Sequence, residues 1–214
     1  MTKKVSKDEA LKAVKNVTDK TSEGSLQAEA MEAVKTLILW AGDNPEREGL
    51  LDTPKRVVKA YKQFFSGYND DPEEILSRTF EEVDGYDDAV IVRDIRLESH
   101  CEHHMVPIIG VAHVGYIPSN RVVGISKLAR LVDCYSKRLQ TQETMTAQIA
   151  NTIDKVLKPK GVAVVIDSNH NCMSTRGVHK THSSTITSRM LGIFRTDNKA
   201  REEFINLINS PQKF

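Results

Sequence analysis

Two short clusters of metal-ligating side chains, far apart along the chain, most constrain what this sequence can fold into. The first spans residues 100–104 and contains Cys101 and His104 in a C-x2-H spacing. The second contains His170 and Cys172. Thiolates and imidazoles are ligands that zinc prefers. One tight turn can aim Cys101 and His104 at a single ion, but Cys172 reaches it only through a folded scaffold. That geometry argues against an autonomous zinc finger, whose ligands come as two local pairs.

The number of ligands also indicates the kind of metal site. Cys101, His104 and Cys172 are three ligands, and an open fourth position is typical of a catalytic zinc. The opposing interpretation is that each cysteine is a small buried hydrophobe. Cys134, which has no cluster around it, is assigned to packing on that basis. The second Cys–His cluster follows a predicted strand and favours metal binding for the other two cysteines.

Composition excludes several classes of protein. The 214 residues include 30 Lys and Arg against 29 Asp and Glu, so no global positive field exists to recruit nucleic acid. The longest apolar runs are too short to span a bilayer, and the N-terminal lysines are not followed by the apolar segment of a secretory signal. Three cysteines do not make a disulfide framework, and free thiols suit a reducing compartment. We therefore expect a cytoplasmic globular protein without membrane or nucleic-acid partners.

The residue pattern predicts helices first and a sheet later. Ser25 is predicted to cap a helix that runs to Trp40, and Thr53 followed by Pro54 is typical of the start of a second helix. Later in the chain, β-branched runs predict strands and a 3.6-residue apolar stripe predicts a long helical stretch. The predicted strands cover residues 89–92, 108–117, 162–166 and 184–188, and the predicted helices cover 126–157 and 198–208.

Gln142 and Glu143 interrupt the apolar stripe of the long helical stretch, between Leu139 and Met145. A buried carboxylate is costly unless it is paired or hydrogen-bonded. One interpretation is that the helix breaks near Leu139 and that these two residues cap or solvate a new helix. The other is that they face a ligand, because an amide beside a carboxylate suits the donor edge of a guanine. The spacing alone leaves both interpretations open.

Basic side chains lie near both clusters in the predicted arrangement. Lys127 and Arg130 fall in a predicted first helical turn, where free backbone amides and the helix dipole favour an anion. Arg176 follows the second cluster, and Arg56 and Lys59 lie on the second predicted helix. Any one of these residues is most simply a solvated surface charge. Their placement together favours a phosphate site.

With these residues in view, the chain resembles a known family, GTP cyclohydrolase I, over residues 26–208. No single motif would carry the resemblance, but several motifs in the same order are highly specific. The matching motifs are Thr53–Arg56, Phe65–Gly67, Ser99–His104, Gly124–Arg130, Thr141–Glu143, His170–Cys172 and Arg176–Val178.

The resemblance implies roles for individual residues around a Zn2+ ion whose fourth ligand is water. The implied zinc ligands are Cys101, His104 and Cys172, and the implied catalytic residues are His103, His170 and Ser126. Guanine would be read by Gln142 and Glu143. The implied contacts to the triphosphate are Ser126, Lys127, Arg130 and Arg176, with Arg56 and Lys59 contributed by a neighbouring subunit.

The resemblance also implies a fold, an assembly and a reaction. The fold is α+β, a tunnelling fold (T-fold) in which an antiparallel sheet carries two helices and follows N-terminal helices. Residues 1–24 would be a polar tail, 25–83 the N-terminal helical region and 84–214 the tunnelling-fold catalytic domain. Subunits would join their sheets into a ring, a homodecamer with active sites at its interfaces. The enzyme would convert GTP and water to formate and 7,8-dihydroneopterin triphosphate, the first step of tetrahydrofolate and pterin biosynthesis.

The chain departs from the family pattern in a few places. The family usually has proline where Leu139 stands, so the break in the long helical stretch rests on less local evidence here. His100, His179 and His182 are not part of the family pattern, and we expect them to be surface or turn residues. None of these departures removes a proposed ligand or catalytic group.

Two other functions compete with this interpretation. A zinc nucleobase deaminase is the nearest rival enzyme, but its H-x-E and P-C-x-x-C signatures are missing. A zinc-stabilised scaffold without turnover is a rival from a different class. It would keep the three metal ligands but would need neither His103 nor the Gln142–Glu143 pair, and the presence of all of them disfavours it.

Overall fold

The computed structural model describes residues 23–80 and 86–211. Most of the predicted polar tail, residues 1–22, lies outside the described residues. The chain divides into two compact units between Gln63 and Phe64. This division falls earlier than the predicted domain start at residue 84. The reason is that the segment after Phe64 joins the second unit, where Leu76 is fully buried in the main core.

The first unit consists of helices, as the sequence predicted for this region. Helix α1 covers Glu23–Trp40 and helix α2 covers Thr53–Phe64. Pro54 lies in the first turn of α2, where its missing N–H costs no helical hydrogen bond. The predicted cap at Ser25 is wrong, because α1 already begins at Glu23 and Ser25 lies inside it.

The second unit alternates strands and helices. Its strands are β1 (Thr79–Phe80), β2 (Val90–Cys101), β3 (Pro107–Ile117), β4 (Val122–Val123), β5 (Leu139–Gln140), β6 (Gly161–His170) and β7 (Thr185–Gly192). Its helices are α3 (Pro72–Ser77), α4 (Ile125–Ser136), α5 (Gln142–Leu157), α6 (Asn171–Ser174), α7 (Ile193–Thr196) and α8 (Asn198–Asn209), with a 3-10 turn at Ser66–Asn69.

Five of the strands form one sheet in the order β5-β2-β3-β6-β7. Neighbouring strands are antiparallel except β5, which runs parallel to β2. The short strands β1 and β4 pair separately. A mostly antiparallel sheet with helices packed on it is the α+β class that the sequence predicted.

Strand β6 contributes to both hydrophobic cores because its side chains alternate between the two faces of the sheet. Val164 and Ile166 join the core formed with α4 and α5, which contains most of the predicted apolar stripe. Ala163 and Val165 join a smaller core that contains Phe204 of α8. Burial on both faces explains why this strand is a continuous apolar run in the sequence.

The long helical stretch is broken near Leu139, as the first interpretation of that region predicted, but Gln142 is buried and neither caps nor solvates the new helix. Helix α4 ends at Ser136, and α5 begins after Thr141, whose side chain accepts a hydrogen bond from the backbone N–H of Thr144. Between the two helices, β5 pairs with the end of β2, and Gln140 accepts a hydrogen bond from the N–H of Glu102 at 3.0 Å. Strand pairing therefore makes the break at Leu139 without a proline at that position.

The strands run further than predicted, up to the two clusters. Strand β2 ends at Cys101 and β6 ends at His170. Strand β3 lies between them, and Ile108 near its start pairs with His170. The register therefore places both clusters at the same end of the sheet. Within residues 23–80 and 86–211, no helix is long and apolar enough to cross a membrane.

Candidate active site

A tight turn after β2 presents the first cluster. The N–H of Met105 donates to the carbonyl of Cys101 at 2.8 Å, and the N–H of Cys101 donates to the carbonyl of Val106 at 2.9 Å. Met105 takes the left-handed conformation, with φ 54°, which lets the chain reverse direction. The turn leaves Cys101 buried and places His104 beside it, with 3.8 Å between Cys101 Sγ and His104 Nδ1.

Cys172 approaches this turn from the other cluster, on α6 directly after β6. The ligand atoms of Cys101, His104 and Cys172 all lie within 4.8 Å of one another. In a tetrahedral zinc site with bonds of about 2.0–2.3 Å, ligand atoms are about 3.6–3.8 Å apart. The separation of Cys101 Sγ and His104 Nδ1 already matches that value. The donor set and its spacing thus fit a zinc ion, and we call these three residues the metal-ligand group.

The electrostatic environment of the metal-ligand group combines two neighbouring thiols with one arginine. Burial and the neighbouring Cys101 sulfur raise the pKa of the Cys172 thiol. A bound dication would reverse this effect, because it stabilises thiolates directly. Arg176 lies beside the group, with its Nη1 3.2 Å from His104 Nε2. Its guanidinium is exposed and adds positive charge next to the candidate metal position.

His103 lies at the edge of the metal-ligand group and faces solvent. Its Nδ1 is 3.7 Å from Cys101 Sγ, and its Nε2 is 3.8 Å from a carboxylate oxygen of Glu102. Its side chain is 64% exposed, in contrast to the buried Cys101. An imidazole in this position can reach a molecule bound at the group.

The imidazole of His170 contacts the side chain of Gln142, the first residue of α5. The distance between His170 Nε2 and Gln142 Oε1 is 2.7 Å. Burial lowers the pKa of His170, and the Glu143 carboxylate partly opposes that shift. Glu143 is exposed at the start of α5. Gln142, by contrast, is only 1% exposed. These two neighbours in the first turn of α5 therefore differ in environment, one buried and the other in solvent.

The Gln142 amide is engaged entirely by protein groups. Its Nε2 donates to the carbonyls of Ile166 at 3.0 Å and Thr185 at 2.8 Å, and it lies 3.1 Å from Thr187 Oγ1. Its Oε1 accepts from Ser168 Oγ at 2.6 Å and faces His170. An amide has two N–H donors and two acceptor lone pairs. The predicted contact of this side chain with guanine therefore has no free donor or acceptor in this arrangement.

The predicted phosphate residues occupy exposed positions. Ser126 and Arg130 are exposed in the first turns of α4, and Lys127 is partly exposed there. Among the hydrogen bonds and ion pairs of the described residues, none joins these three to the metal-ligand group. Arg56 and Lys59 are exposed on α2 in the first unit, where Arg56 forms an ion pair with Asp52. Within the second unit, the structure thus places Arg176 beside the metal-ligand group.

Comparison with known proteins gives a single result. The sequence profile of GTP cyclohydrolase I matches residues 30–209. The chain is 60% identical over 180 residues to GTP cyclohydrolase 1 of Maricaulis maris, covering 84% of this chain and 88% of the relative. It is 61% identical to that of Hyphomonas neptunium (85% and 88% covered) and 58% identical to that of Brucella anthropi (85% of each). The chain belongs to the GTP cyclohydrolase I family.

Membership in the GTP cyclohydrolase I family confirms the predicted resemblance and the prediction of an enzyme of this kind. A similarity to the archaeosine synthase QueF-Like, at TM-score 0.41 and 20% identity over 49% of this chain and 93% of that one, is too weak to bear on the fold. The match spans both clusters and every residue predicted for the site. It therefore ties the metal-ligand group and its two histidines to one family of enzymes.

Some residues around this candidate site were missed by sequence reasoning. His100 was expected at the surface, but it is buried and stacks on Phe64 with ring centroids 4.7 Å apart, because β2 extends inward to Cys101. Ser168 and Thr187 bind the Gln142 amide. The signal that could have revealed them is a polar side chain at an inward position of a buried strand. His179 and His182 are exposed in turns, as expected.

Proposed function

We propose that this chain hydrolyses GTP at C8 of the guanine ring, releases formate and rearranges the product to 7,8-dihydroneopterin triphosphate. The observation that carries the proposal is the convergence of Cys101, His104 and Cys172 with His103 and His170 in a member of this family. Ring opening at C8 needs an activated water and proton transfer to a ring nitrogen. The metal-ligand group and the two histidines can supply these.

Zinc is the metal that the donor set fits best, held by Cys101, His104 and Cys172. When bound, it would lower the pKa of a water molecule and so supply the nucleophile. Two thiolates and one neutral imidazole cancel the charge of the ion, so this effect should be weaker than at an all-histidine site. Neighbouring bases are then needed to accept the proton from water.

His103 and His170 are the proposed proton carriers. His103 is exposed at the edge of the group and can exchange protons with a bound substrate and with solvent. His170 is partly buried, and its ring is held by Gln142 on one nitrogen. One histidine protonates N7 of guanine so that the imidazole ring opens, and the pair supports the second hydrolysis that releases formate.

Substrate recognition is proposed for the exposed charges nearby. The Glu143 carboxylate can accept hydrogen bonds from N1–H and the 2-amino group of guanine. The triphosphate would be held by Ser126, Lys127, Arg130 and Arg176. Ser126 is also one of the proposed catalytic residues. Arg56 and Lys59 would complete that contact from a neighbouring subunit.

The assembly and the finer fold class are part of the same proposal. The sheet and its two long helices correspond to a tunnelling fold in residues 84–214, preceded by the helical region 25–83 and the tail 1–24. Strand β7 lies at an edge of the sheet and offers backbone groups for pairing with another copy. We propose a ring of such copies, a homodecamer acting in the cytoplasm.

The proposal is tested by mixing the purified protein with GTP and measuring formate and pterin fluorescence together with bound zinc. Both products should appear with GTP but not with ATP, and removal of the metal by a chelator should abolish both. Ammonia in place of formate would identify a deaminase. Bound zinc without either product would identify a scaffold, and both of these outcomes contradict the proposal.

A further inference from the structure

We propose that Gln142 is a positioning residue that sets the tautomer and orientation of His170, rather than a residue that reads guanine. The inference rests on the acid–base role proposed above for His170. It comes from the buried hydrogen-bond network around the Gln142 amide. That network determines which nitrogen of His170 carries a hydrogen.

The first step is the orientation of the Gln142 amide. The oxygen and nitrogen of an amide must often be assigned from their partners. Here one end of the amide faces the backbone carbonyls of Ile166 and Thr185, at 3.0 and 2.8 Å. Carbonyls only accept hydrogen bonds. That end must therefore be the NH2 group, and the opposite end, toward His170, must be the oxygen.

The second step is the tautomer of His170. Gln142 Oε1 has no hydrogen to donate, and it lies 2.7 Å from His170 Nε2. The Nε2 atom must therefore be the N–H donor. In the neutral ring, Nδ1 is then the unprotonated nitrogen and the only base. Ser168 Oγ donates to the same oxygen at 2.6 Å, so both lone pairs of Oε1 are used.

The third step is the rigidity of the network. Gln142, Ser168 and Thr146 are buried. Thr146 Oγ1 donates to the backbone carbonyl of Gln142 at 2.7 Å. Its single hydrogen is then used, so it must accept from Thr187 Oγ1, which lies 2.7 Å away. Thr187 Oγ1 also lies 3.1 Å from Gln142 Nε2, whose two N–H groups donate to the carbonyls of Ile166 and Thr185. Each hydroxyl of this hydrogen-bond network therefore donates to one defined acceptor, and the network holds the amide in place.

The consequence is that the His170 ring is held in one orientation, with its Nε2–H on Gln142 Oε1. The unprotonated Nδ1 is then its remaining hydrogen-bonding atom. An amide oxygen suits this task, since it accepts from Nε2–H and has no hydrogen of its own to donate. Partners that fix a histidine in this way typically affect activity by about 10–100-fold.

The test uses Gln142→Met, which keeps volume but removes the acceptor. We expect kcat for GTP to fall about 10–100-fold in Gln142→Met, with KM changed less than about threefold. Thr152→Val is the matched control. It removes another buried hydrogen bond of α5, from Tyr135, away from the network, and should leave kcat unchanged.

A second readout does not depend on activity. Nitrogen-15 NMR of histidine-labelled wild-type protein, with His170 assigned by difference from His170→Asn, should show hydrogen on Nε2. Gln142→Met should shift the population toward the other tautomer. A wild-type ring with hydrogen on Nδ1 alone would overturn the inference even if Gln142→Met does not fold.

The remaining outcomes separate this inference from the function proposed above. If Gln142→Met raises KM and removes discrimination between GTP and inosine triphosphate while kcat is kept, Gln142 reads guanine and the inference is wrong. If His170→Asn retains full activity, the role given to His170 fails. In that case the NMR result still decides whether Gln142 sets its tautomer.

Discussion

The metal-ligand group and the network around Gln142 are neighbours with opposite properties. In the metal-ligand group, Cys101, His104 and Cys172 direct their donor atoms at one another and His104 is exposed. Around Gln142, every donor and acceptor of the amide has a protein partner and the side chain is closed to solvent. Two thiols and an imidazole whose donor atoms converge can bind a metal, whereas an amide with all its donors and acceptors used can only position its neighbour. His170 connects the two regions.

The largest effect is expected from loss of a metal ligand. Cys172→Ala should lose bound zinc and reduce formate release by more than the roughly 10–100-fold typical of residues behind the ligands. Cys134→Ala is the matched control, because that buried thiol lies beside the carbonyls of Gly67 and Asp70 and is not part of the metal-ligand group. Metal analysis and a formate assay check both. Zinc retained at full stoichiometry in Cys172→Ala would contradict the assignment.

The next effect concerns the two histidines. His103→Ala and His170→Ala should each lower turnover by about 10²–10⁴-fold with zinc still bound, because in the proposed mechanism they transfer protons and do not bind the metal. His182→Ala, another exposed histidine in a turn, should have little effect. Turnover and zinc content are measured in parallel. Loss of zinc in both variants would show that the two histidines are needed for metal binding, which would contradict the separate roles proposed here.

A smaller effect is expected at Glu143, the exposed neighbour of Gln142. Glu143→Gln should lower kcat/KM for GTP by about 10–100-fold, as expected for losing charge-assisted hydrogen bonds. The loss should be smaller with inosine triphosphate, which lacks the 2-amino group. Asp154→Asn, at the far end of α5, is the control. Equal losses with both nucleotides would show that Glu143 does not read the guanine edge.

The smallest expected effect concerns the pH dependence of stability at His113, a buried histidine outside the site. Burial lowers the pKa of His113, with Asp94 and Asp167 opposing the shift and Arg93 adding to it. A histidine whose folded pKa is lowered favours folding above about pH 6.5 and loses that contribution as the pH falls. The free energy of unfolding should therefore decrease between about pH 6.5 and 5. His113→Gln should weaken that decrease by less than about 1.4 kcal/mol per pH unit.

The check for His113 is urea unfolding at several pH values. The variant and the wild type should have slopes that differ below about pH 6.5 and agree above it. His100 has a pKa lowered by burial as well, so the wild-type slope should not vanish in the variant. A variant with an unchanged slope would show that His113 does not titrate differently on folding.

Several features of the fold could be predicted from residues alone. The run at 162–166 predicted a buried strand because no polar residue interrupts it, and Thr53 with Pro54 predicted the start of α2. The ends of strands were less predictable. Strands β2 and β6 continue through polar residues to the clusters, since pairing with β3 satisfies their backbone groups whatever the side chains are.

The site was predicted to different degrees at neighbouring positions. The C-x2-H spacing and the distant Cys172 indicated which side chains meet, because few other residues can bind zinc. The sequence also indicated that Gln142 and Glu143 are unusual in an apolar stripe. It did not indicate that one is buried and the other exposed, because that depends on where α5 begins relative to the sheet.

The sequence by itself determined the family of this protein and which side chains are candidates for metal binding and proton transfer. Only the tertiary structure decided which of these groups are free to act. Strand register placed the two clusters at one end of the sheet, and the carbonyls of Ile166 and Thr185 oriented the Gln142 amide toward His170. Hydrogen-bond direction depends on partners that lie far apart in the chain, so no local pattern encodes it.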